Sequence, residues 1–222
     1  MIYLSGDTHR RVDIKKLLPE NFDYSKVTRD DYLIILGDFG AIWYGEKDEG
    51  LLNFYNNLPL QVCWIDGNHE NFDLLEKYPI EYWHNGKIHR IKDNIVHLMR
   101  GQVFEIENKT FFTFGGGTSI DHAMRVAHES WWPNELPTEE EMAEGIHNLN
   151  LYNWKVDYVL THCAPYSLLK KLVPQASGDI LNSYLHDIDK QLTYTHWYLG
   201  HYHKDIDIDN YSILYNNIHT IK

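Results

Sequence analysis

Short apolar runs that stop at a glycine and a polar cluster recur along this chain. Ile2-Tyr3-Leu4 leads into Ser5-Gly6-Asp7-Thr8-His9. Tyr32-Leu33-Ile34-Ile35-Leu36 leads into Gly37-Asp38, and Val62-Cys63-Trp64-Ile65 into Asp66-Gly67-Asn68-His69-Glu70. Such runs, with β-branched and aromatic residues, predict buried strands. Between them the apolar spacing becomes helical. Val12 to Leu18 predicts a short helix closed before Pro19. Leu51, Leu52, Tyr55 and Leu58 mark one face of a helix over Gly50–Leu58, ended by Pro59, and Phe72, Leu75 and Tyr78 mark another over Asn71–Tyr78. Strand and helix in alternation predict a sheet with parallel neighbours and helical cover, whose ligands gather at the C-terminal strand tips.

The pattern changes after Pro79. Ile88–Ile91, Ile95–Met99, Gln102–Ile106 and Thr110–Phe114 read as four short strands, the last two joined by a hairpin at Glu107-Asn108-Lys109. This stretch reads as antiparallel, so a mixed α/β protein is expected and not a purely doubly wound one. Gly115-Gly116-Gly117-Thr118-Ser119 is either a backbone cradle for phosphate or a turn where two backbones pass closely. Residues 118–137 form a polar, aromatic excursion with Asp121, Arg125, Trp131, Trp132 and Pro133. A loop so long without periodicity predicts function, and adjacent tryptophans argue against disorder. They either stack a flat ligand or anchor the loop to the core. Thr138 as N-cap and Glu141 at N3 predict a helix start, with the helix running to about Leu149, and the run Glu139–Glu141 is assigned to that start and not to ligands. Tyr158–Thr161 is a strand delivering His162, Ile180, Leu181, Tyr184, Leu185 and Ile188 trace an amphipathic helix, and Thr195–Leu199 leads into Gly200-His201-Tyr202-His203. A closing hairpin turns at Asn210. With no repeat or linker, residues 1–222 are expected to form a single domain.

Composition narrows this picture. A hydrophobic fraction of 43% and an aromatic fraction of 14% are ample for a core. A formal charge of −12 argues against binding long duplex nucleic acid, but carboxylates that hold metal still make a locally positive site. Cys63 and Cys163 give no disulfide framework, and Cys63 is expected in the core. A reduced, cytoplasmic setting is expected, with no leader before the strand at Ile2 and no membrane association. No apolar run nears the roughly 20 residues of a spanning helix. Oligomeric state carries no signal.

Five polar clusters follow predicted strands in order: Asp7/His9, Asp38, Asn68/His69, His162 and His201/His203. All offer oxygen or imidazole and none thiolate, which suits Mn²⁺, Fe, Zn²⁺ or similar ions better than a structural zinc. Asp7 and His9, like His201 and His203, are two residues apart, and in extended backbone such side chains point to one side. The order and spacing resemble the calcineurin-like metallophosphoesterase superfamily, whose pattern is Asp-x-His, Gly-Asp, Gly-Asn-His-Asp/Glu, a lone His and Gly-His-x-His. The resemblance spans roughly residues 1 to 205. It implies a four-layer α/β/β/α sandwich of two mixed β-sheets flanked by helices. It also implies two divalent ions, Mn²⁺ before Fe, Zn²⁺, Ni²⁺ or Mg²⁺. Asp7, His9, Asp38 and His203 would hold one, and Asp38, Asn68, His162 and His201 the other. Asp38 bridges, as a carboxylate with two oxygens can. By the same resemblance a hydroxide between the ions attacks phosphorus in line, and His69 stabilises the transition state or protonates the leaving group.

One departure matters. The protein serine/threonine phosphatase branch continues Gly-Asp-x-x-Asp-Arg-Gly, whereas here Asp38 is followed by Phe39-Gly40-Ala41-Ile42-Trp43. The chain is therefore expected outside that branch, and either another group orients His69 or His69 contributes less. Glu70 is expected to hydrogen-bond around the ligands. Arg10 and Arg125 are candidate phosphate clamps, with surface salt bridges as the alternative. Outside the motifs, His128, His147 and His186 are expected to be solvated, His84, His89, His97 and His196 carry no spacing signal, and His122, inside the aromatic excursion, is a minor candidate for touching substrate. The function expected is metal-dependent hydrolysis of a small phosphorylated molecule or nucleotide, with monoester and diester both open. The alternatives are a phosphodiesterase or nuclease on short nucleic acid, a single-metal or structural-metal protein and a non-catalytic binding scaffold. The filled ligand positions disfavour the scaffold.

Overall fold

The computed structural model describes residues 1–221. Thirteen strands form two sheets. The first contains β1 (Ile2–Ser5), β2 (Tyr32–Leu36), β3 (Gln61–Ile65), β4 (Ile80–Trp83), β5 (Gly86–Lys92), β6 (Ile95–Leu98) and β13 (Ile218–Ile221), in the order β13-β1-β2-β3-β6-β5-β4. The second contains β7 (Gln102–Ile106), β8 (Lys109–Phe114), β9 (Tyr158–Thr161), β10 (His196–Leu199), β11 (Ile206–Ile208) and β12 (Tyr211–Ile213), in the order β11-β12-β10-β9-β8-β7. Each sheet is parallel at its centre and antiparallel at its margins: β1-β2-β3-β6 and β8-β9-β10-β12 are parallel, while β13, β5, β4, β7 and β11 run against their neighbours.

Alternation along the strands builds three apolar layers. In β2, Leu33 and Ile35 face outward to α1 (Glu49–Asn56) and α2 (Phe72–Leu75), while Ile34 and Leu36 face the second sheet. In β3, Val62 and Trp64 point out and Cys63 and Ile65 point in, so Cys63 is the core residue expected. In the second sheet Phe112 and Phe114 of β8 and Trp197 and Leu199 of β10 pack under α3 (Glu139–Leu151), α4 (Tyr166–Leu172) and α5 (Ile180–Asp189). Phe111 and Tyr198 face the first sheet. The result is the expected α/β/β/α sandwich of two mixed sheets with flanking helices. Among the described residues no helix is long and apolar enough to cross a membrane.

Several expected elements change in detail. The Val12–Leu18 helix is a 3₁₀ turn, Ile14–Leu17. The Asn71–Tyr78 helix shortens to one turn, with the Asn71 side chain capping Leu74 N at 3.1 Å. α3 begins with the predicted capping box at Thr138 and Glu141, and runs two residues beyond Leu149. Strands β4 and β13 and helix α4 lie in stretches assigned no element from the sequence. All three are short, and β13 finds its partner β1 only at the far end of the chain. The triple glycine is a close-packed turn and not a phosphate cradle. Gly116 N donates to Asp66 O and Gly117 N to Glu135 O, so neither amide is free for an anion.

Candidate metal centre

The parallel strands β1, β2, β3, β9 and β10 end at one edge of the sandwich, and the five polar clusters meet there. Asp38 is at the centre and buried. Its Oδ2 lies 3.0 Å from His9 Nε2. Its Oδ1 lies 3.3 Å from His162 Nε2 and accepts the His69 amide at 2.8 Å. Two groups of side chains thus share one carboxylate. Asp7, His9, Asp38 and His203 bring one ligand atom each within 4.8 Å of one another. On the other side, His162 Nε2 lies 3.1 Å from Asn68 Oδ1 and 3.2 Å from His201 Nδ1.

The backbone that presents these groups is unusual. His9, Asp38, His201 and His203 have φ of 40°, 50°, 67° and 47°. Residues other than glycine rarely adopt this left-handed region, and such strain concentrates at functional sites. Asp7/His9 and His201/His203 therefore do not share a side through extended backbone, as their spacing suggested. Both pairs lie in turns beyond β1 and β10; Asp7 and His9 stay in one group, while the second pair divides, His203 joining Asp7 and His201 joining His162. Gly37 has φ of 95°, and a Cβ there would meet His162 Nδ1 at 2.0 Å. At Gly67 a Cβ would meet Asp38 Oδ1 at 2.1 Å. The glycines that precede the ligands leave room for side chains from other strands.

Hydrogen bonds fix which face each imidazole presents. His162 Nδ1 donates to Leu36 O at 2.8 Å, which leaves Nε2 as an acceptor in the neutral ring. That nitrogen faces Asp38 Oδ1 and Asn68 Oδ1, which are acceptors too. His9 Nδ1 donates to Asp13 Oδ2 at 2.8 Å, turning Nε2 to Asp38. A carbonyl or carboxylate behind the ring is the usual support of a metal-ligating histidine. Asp7 Oδ2 lies 3.0 Å from His203 Nε2 without hydrogen-bond alignment, and no donor is aimed at it. Convergent lone pairs repel unless positive charge sits among them, so this donor set fits divalent cations. The titration tendencies reflect the same field. Burial opposes charge on His162, but Asp38 and Asp7 raise it to about 10. Against its own burial, Asp38 is held well below the usual carboxylate range, chiefly by His162.

Asn68 is held by the excursion. Its Nδ2 donates to Ser119 Oγ at 3.1 Å, which leaves Oδ1 facing the cluster, and Glu135 Oε2 accepts Ser119 N at 3.0 Å. Burial raises Glu135 to about 7. Glu70, as expected, supports the ligands: its two oxygens accept Phe39 N at 2.7 Å and Gly40 N at 3.0 Å, locking the turn after Asp38. His69 has an arginine where the phosphatase branch has a carboxylate. Arg125 Nη1 lies 3.2 Å from His69 Nδ1, and because arginine only donates, that nitrogen accepts and the ring proton sits on Nε2. Burial first, then Arg125 and neighbouring imidazoles, lower the His69 pKa against the pull of Asp38. Asp121 holds Arg125 in turn, at 2.8 Å.

Arg10 is placed differently from Arg125. Its guanidinium is ion-paired with buried Asp48, and it does not line the cavity in front of the cluster. The salt-bridge alternative is the one the structure takes. Trp132 is buried against Trp43, at a ring separation of 5.3 Å, so it anchors the excursion. Asp13, Ser119, Glu135 and Lys16, whose ammonium donates to the carbonyls of Gly6, Asp7 and Tyr215, carried no signal in the sequence. Asp13 is only four residues from His9, but Ser119 is 51 from Asn68 and Lys16 is 199 from Tyr215, and all four residue types are common on surfaces.

A family model for calcineurin-like phosphoesterases matches residues 1–205. Among solved structures, the chain is similar to a Staphylococcus aureus protein provisionally named a 5'-nucleotidase and solved with alpha-ketoglutarate. That likeness has 17% identity and a TM-score of 0.50, over 96% of this chain and 48% of the other. The chain is also similar to the phosphopantetheinyl hydrolase of Mycobacterium tuberculosis, at 15% identity and a TM-score of 0.45, over 96% of this chain and 87% of that one. It spans about half the length of the Staphylococcus protein, and at such identity the likeness bears on fold alone. No curated protein matches. The family match runs through all five ligand clusters, and by it the chain belongs to the calcineurin-like phosphoesterases, hydrolases of phosphoric ester bonds.

Proposed function

We propose that the chain hydrolyses a small phosphomonoester with the help of two divalent ions, Mn²⁺ first among them. Asp7, His9, Asp38 and His203 would hold one ion, and Asp38, Asn68, His162 and His201 the other. The observation that carries this reading is the division of the Asp38 carboxylate, with Oδ2 toward His9 and Oδ1 toward His162. Bound there, the ions would supply a water nucleophile at neutral pH and neutralise charge on the phosphoryl oxygens. The chain's own residues do the rest. Asn68 is oriented through Ser119, and Glu70 holds the Asp38 turn rigid. His69, neutral and protonated on Nε2, donates a hydrogen bond to a substrate oxygen from the cavity wall it lines. Arg125, in the same wall, adds positive charge beside it. A single apolar arm leaves the cluster, giving room for one organic substituent on phosphorus and so suiting a monoester over a diester.

The test is to strip the protein of metal, reload it with Mn²⁺, count bound ions and compare p-nitrophenyl phosphate with bis(p-nitrophenyl) phosphate. Two ions per chain and faster turnover of the monoester are expected. His69→Ala should keep both ions and lose about 10²–10⁴ in kcat, the usual range for a lost proton donor. No turnover of either ester with Mn²⁺, Fe²⁺, Ni²⁺ or Zn²⁺ would overturn the reading.

A further inference from the structure

The cavity in front of the cluster is much larger than a phosphoryl group needs. Its volume is about 690 Å³, within the range of roughly 300–1,000 Å³ of sites that take whole small molecules. One end is the polar cluster, with Asp38, Asn68 and His69. The other runs along α4 and the loop after it, where Leu169, Val173, Ala176 and Tyr202 line it. These four belong to the apolar layer beneath the second sheet, so the wall is backed by packed core and not by solvent.

Tyr202, Asn182 and Asp179, polar groups in this arm, are already engaged. Tyr202 Oη accepts Ala164 N at 3.3 Å. Asn182 Nδ2 donates to Ala164 O at 2.8 Å. The Asp179 carboxylate accepts Thr118 Oγ1 at 2.5 Å and Asn182 N at 2.9 Å. Cys163 is buried and lines the wall as a small, largely apolar side chain. Among the described residues that line the cavity, Arg125 is the sole lysine or arginine, and Asp121 already holds it. A second anionic group on the substrate would meet Asp179 with no cation to offset it. At the mouth stands Ile120, 98% exposed, an apolar side chain that a bound apolar group would cover.

We propose that this arm receives the leaving group of the substrate, and that the leaving group is uncharged and mostly apolar, of about the size of one or two fused rings. The inference rests on the phosphomonoesterase reading and narrows it: bisphosphates, nucleoside polyphosphates and phosphorylated acids are excluded by the missing cations, while an aryl, alkyl or similarly neutral monophosphate fits.

The experiment uses the Mn²⁺-loaded protein and three aryl monophosphates with leaving groups of similar acidity: 2-naphthyl, phenyl and 3-carboxyphenyl phosphate. Expected kcat/KM falls in that order, by about tenfold from naphthyl to phenyl, the effect of one more buried ring edge. The difference should lie mainly in KM. Val173→Lys should reverse the end of the series, improving 3-carboxyphenyl relative to 2-naphthyl phosphate about tenfold. Ala176→Lys, on the next turn of the loop, should act in the same direction and serves if the first variant folds poorly. A flat series in the unaltered protein, or a ratio that neither lysine moves, would overturn the assignment of the arm alone. No turnover of any of the three would overturn the phosphomonoesterase reading along with it.

Discussion

Asp38 and His69 stand side by side and depend on different kinds of support. Asp38 is held by the left-handed turn after Gly37 and by Glu70 behind it, and its two oxygens face two ligand groups. Asp38→Asn keeps the shape and removes the charge. It is expected to lower metal affinity at least tenfold at both positions, read as metal content after gel filtration, whereas loss of one ion alone would contradict a shared carboxylate. His69 depends on Arg125, which lies 56 residues away in sequence. Arg125→Met should leave metal content unchanged and reduce kcat about ten- to a hundredfold, the usual effect of removing an orienting partner. Because Arg125 is one of the causes that lower the His69 pKa, the same variant should raise it, which a histidine NMR titration of the metal-free protein will detect. The histidine was readable in the sequence because its place in the Gly67-Asn68-His69-Glu70 run is local. Its partner was not, because nothing local links a loop arginine to a strand tip.

Among the elements, the excursion over residues 118–137 has the largest effect on the site. It supplies Ser119 to Asn68, Arg125 to His69 and Ile120 to the cavity mouth. It keeps its place because Trp132 is buried between Trp43 and the outer face of the first sheet. Trp132→Ala should destabilise the protein by about 3–5 kcal/mol, measured by urea unfolding, and disturb activity through the loop as well. The exit of the excursion was visible in advance, since a capping box needs only Thr138 and Glu141 three residues apart. The second use of Glu141 was not visible: its Oε2 also accepts Arg100 Nη1 at 3.2 Å, tying the start of α3 to the third strand tip.

For the molecule as a whole, a buried polar chain joins the first sheet to the excursion. Arg100 donates to Asp66 Oδ2 from Nε at 2.8 Å and to Asn134 O from Nη2 at 2.7 Å. His97 Nε2 lies 3.2 Å from Asp66 Oδ1, and His89 Nδ1 3.1 Å from His97 Nδ1. With His97 Nε2 donating to Asp66, its Nδ1 accepts from His89. Burial, reinforced by His97, lowers His89 from 6.5 to about 4. The folded protein therefore resists a proton that the unfolded chain takes up below about 6.5. Between these values the unfolded state binds more protons, so stability is lost as pH falls from about 6.5 toward 4. Thermal unfolding followed from pH 7 to pH 4 should show this loss, and His89→Phe should flatten it. An unchanged slope in that variant would remove His89 as the cause.

What the sequence determined by itself is what local spacing determines. Short apolar runs mark strands, glycines mark the turns at their tips, and the residue after each turn carries oxygen or imidazole. From those came the mixed α/β reading and the roster Asp7, His9, Asp38, Asn68, His162, His201 and His203, while the four-layer sandwich followed only from the family resemblance those motifs carry. Tertiary structure decided which of these face one another and what stands behind them. It separated His201 from His203, placed Asp13 behind His9 and Arg125 behind His69, removed Arg10 to Asp48, and opened an apolar arm beside α4. The physical reason is that strand character depends on the nearest few residues, whereas the direction of a hydrogen bond or the wall of a cavity depends on side chains that only folding brings within about 3–4 Å.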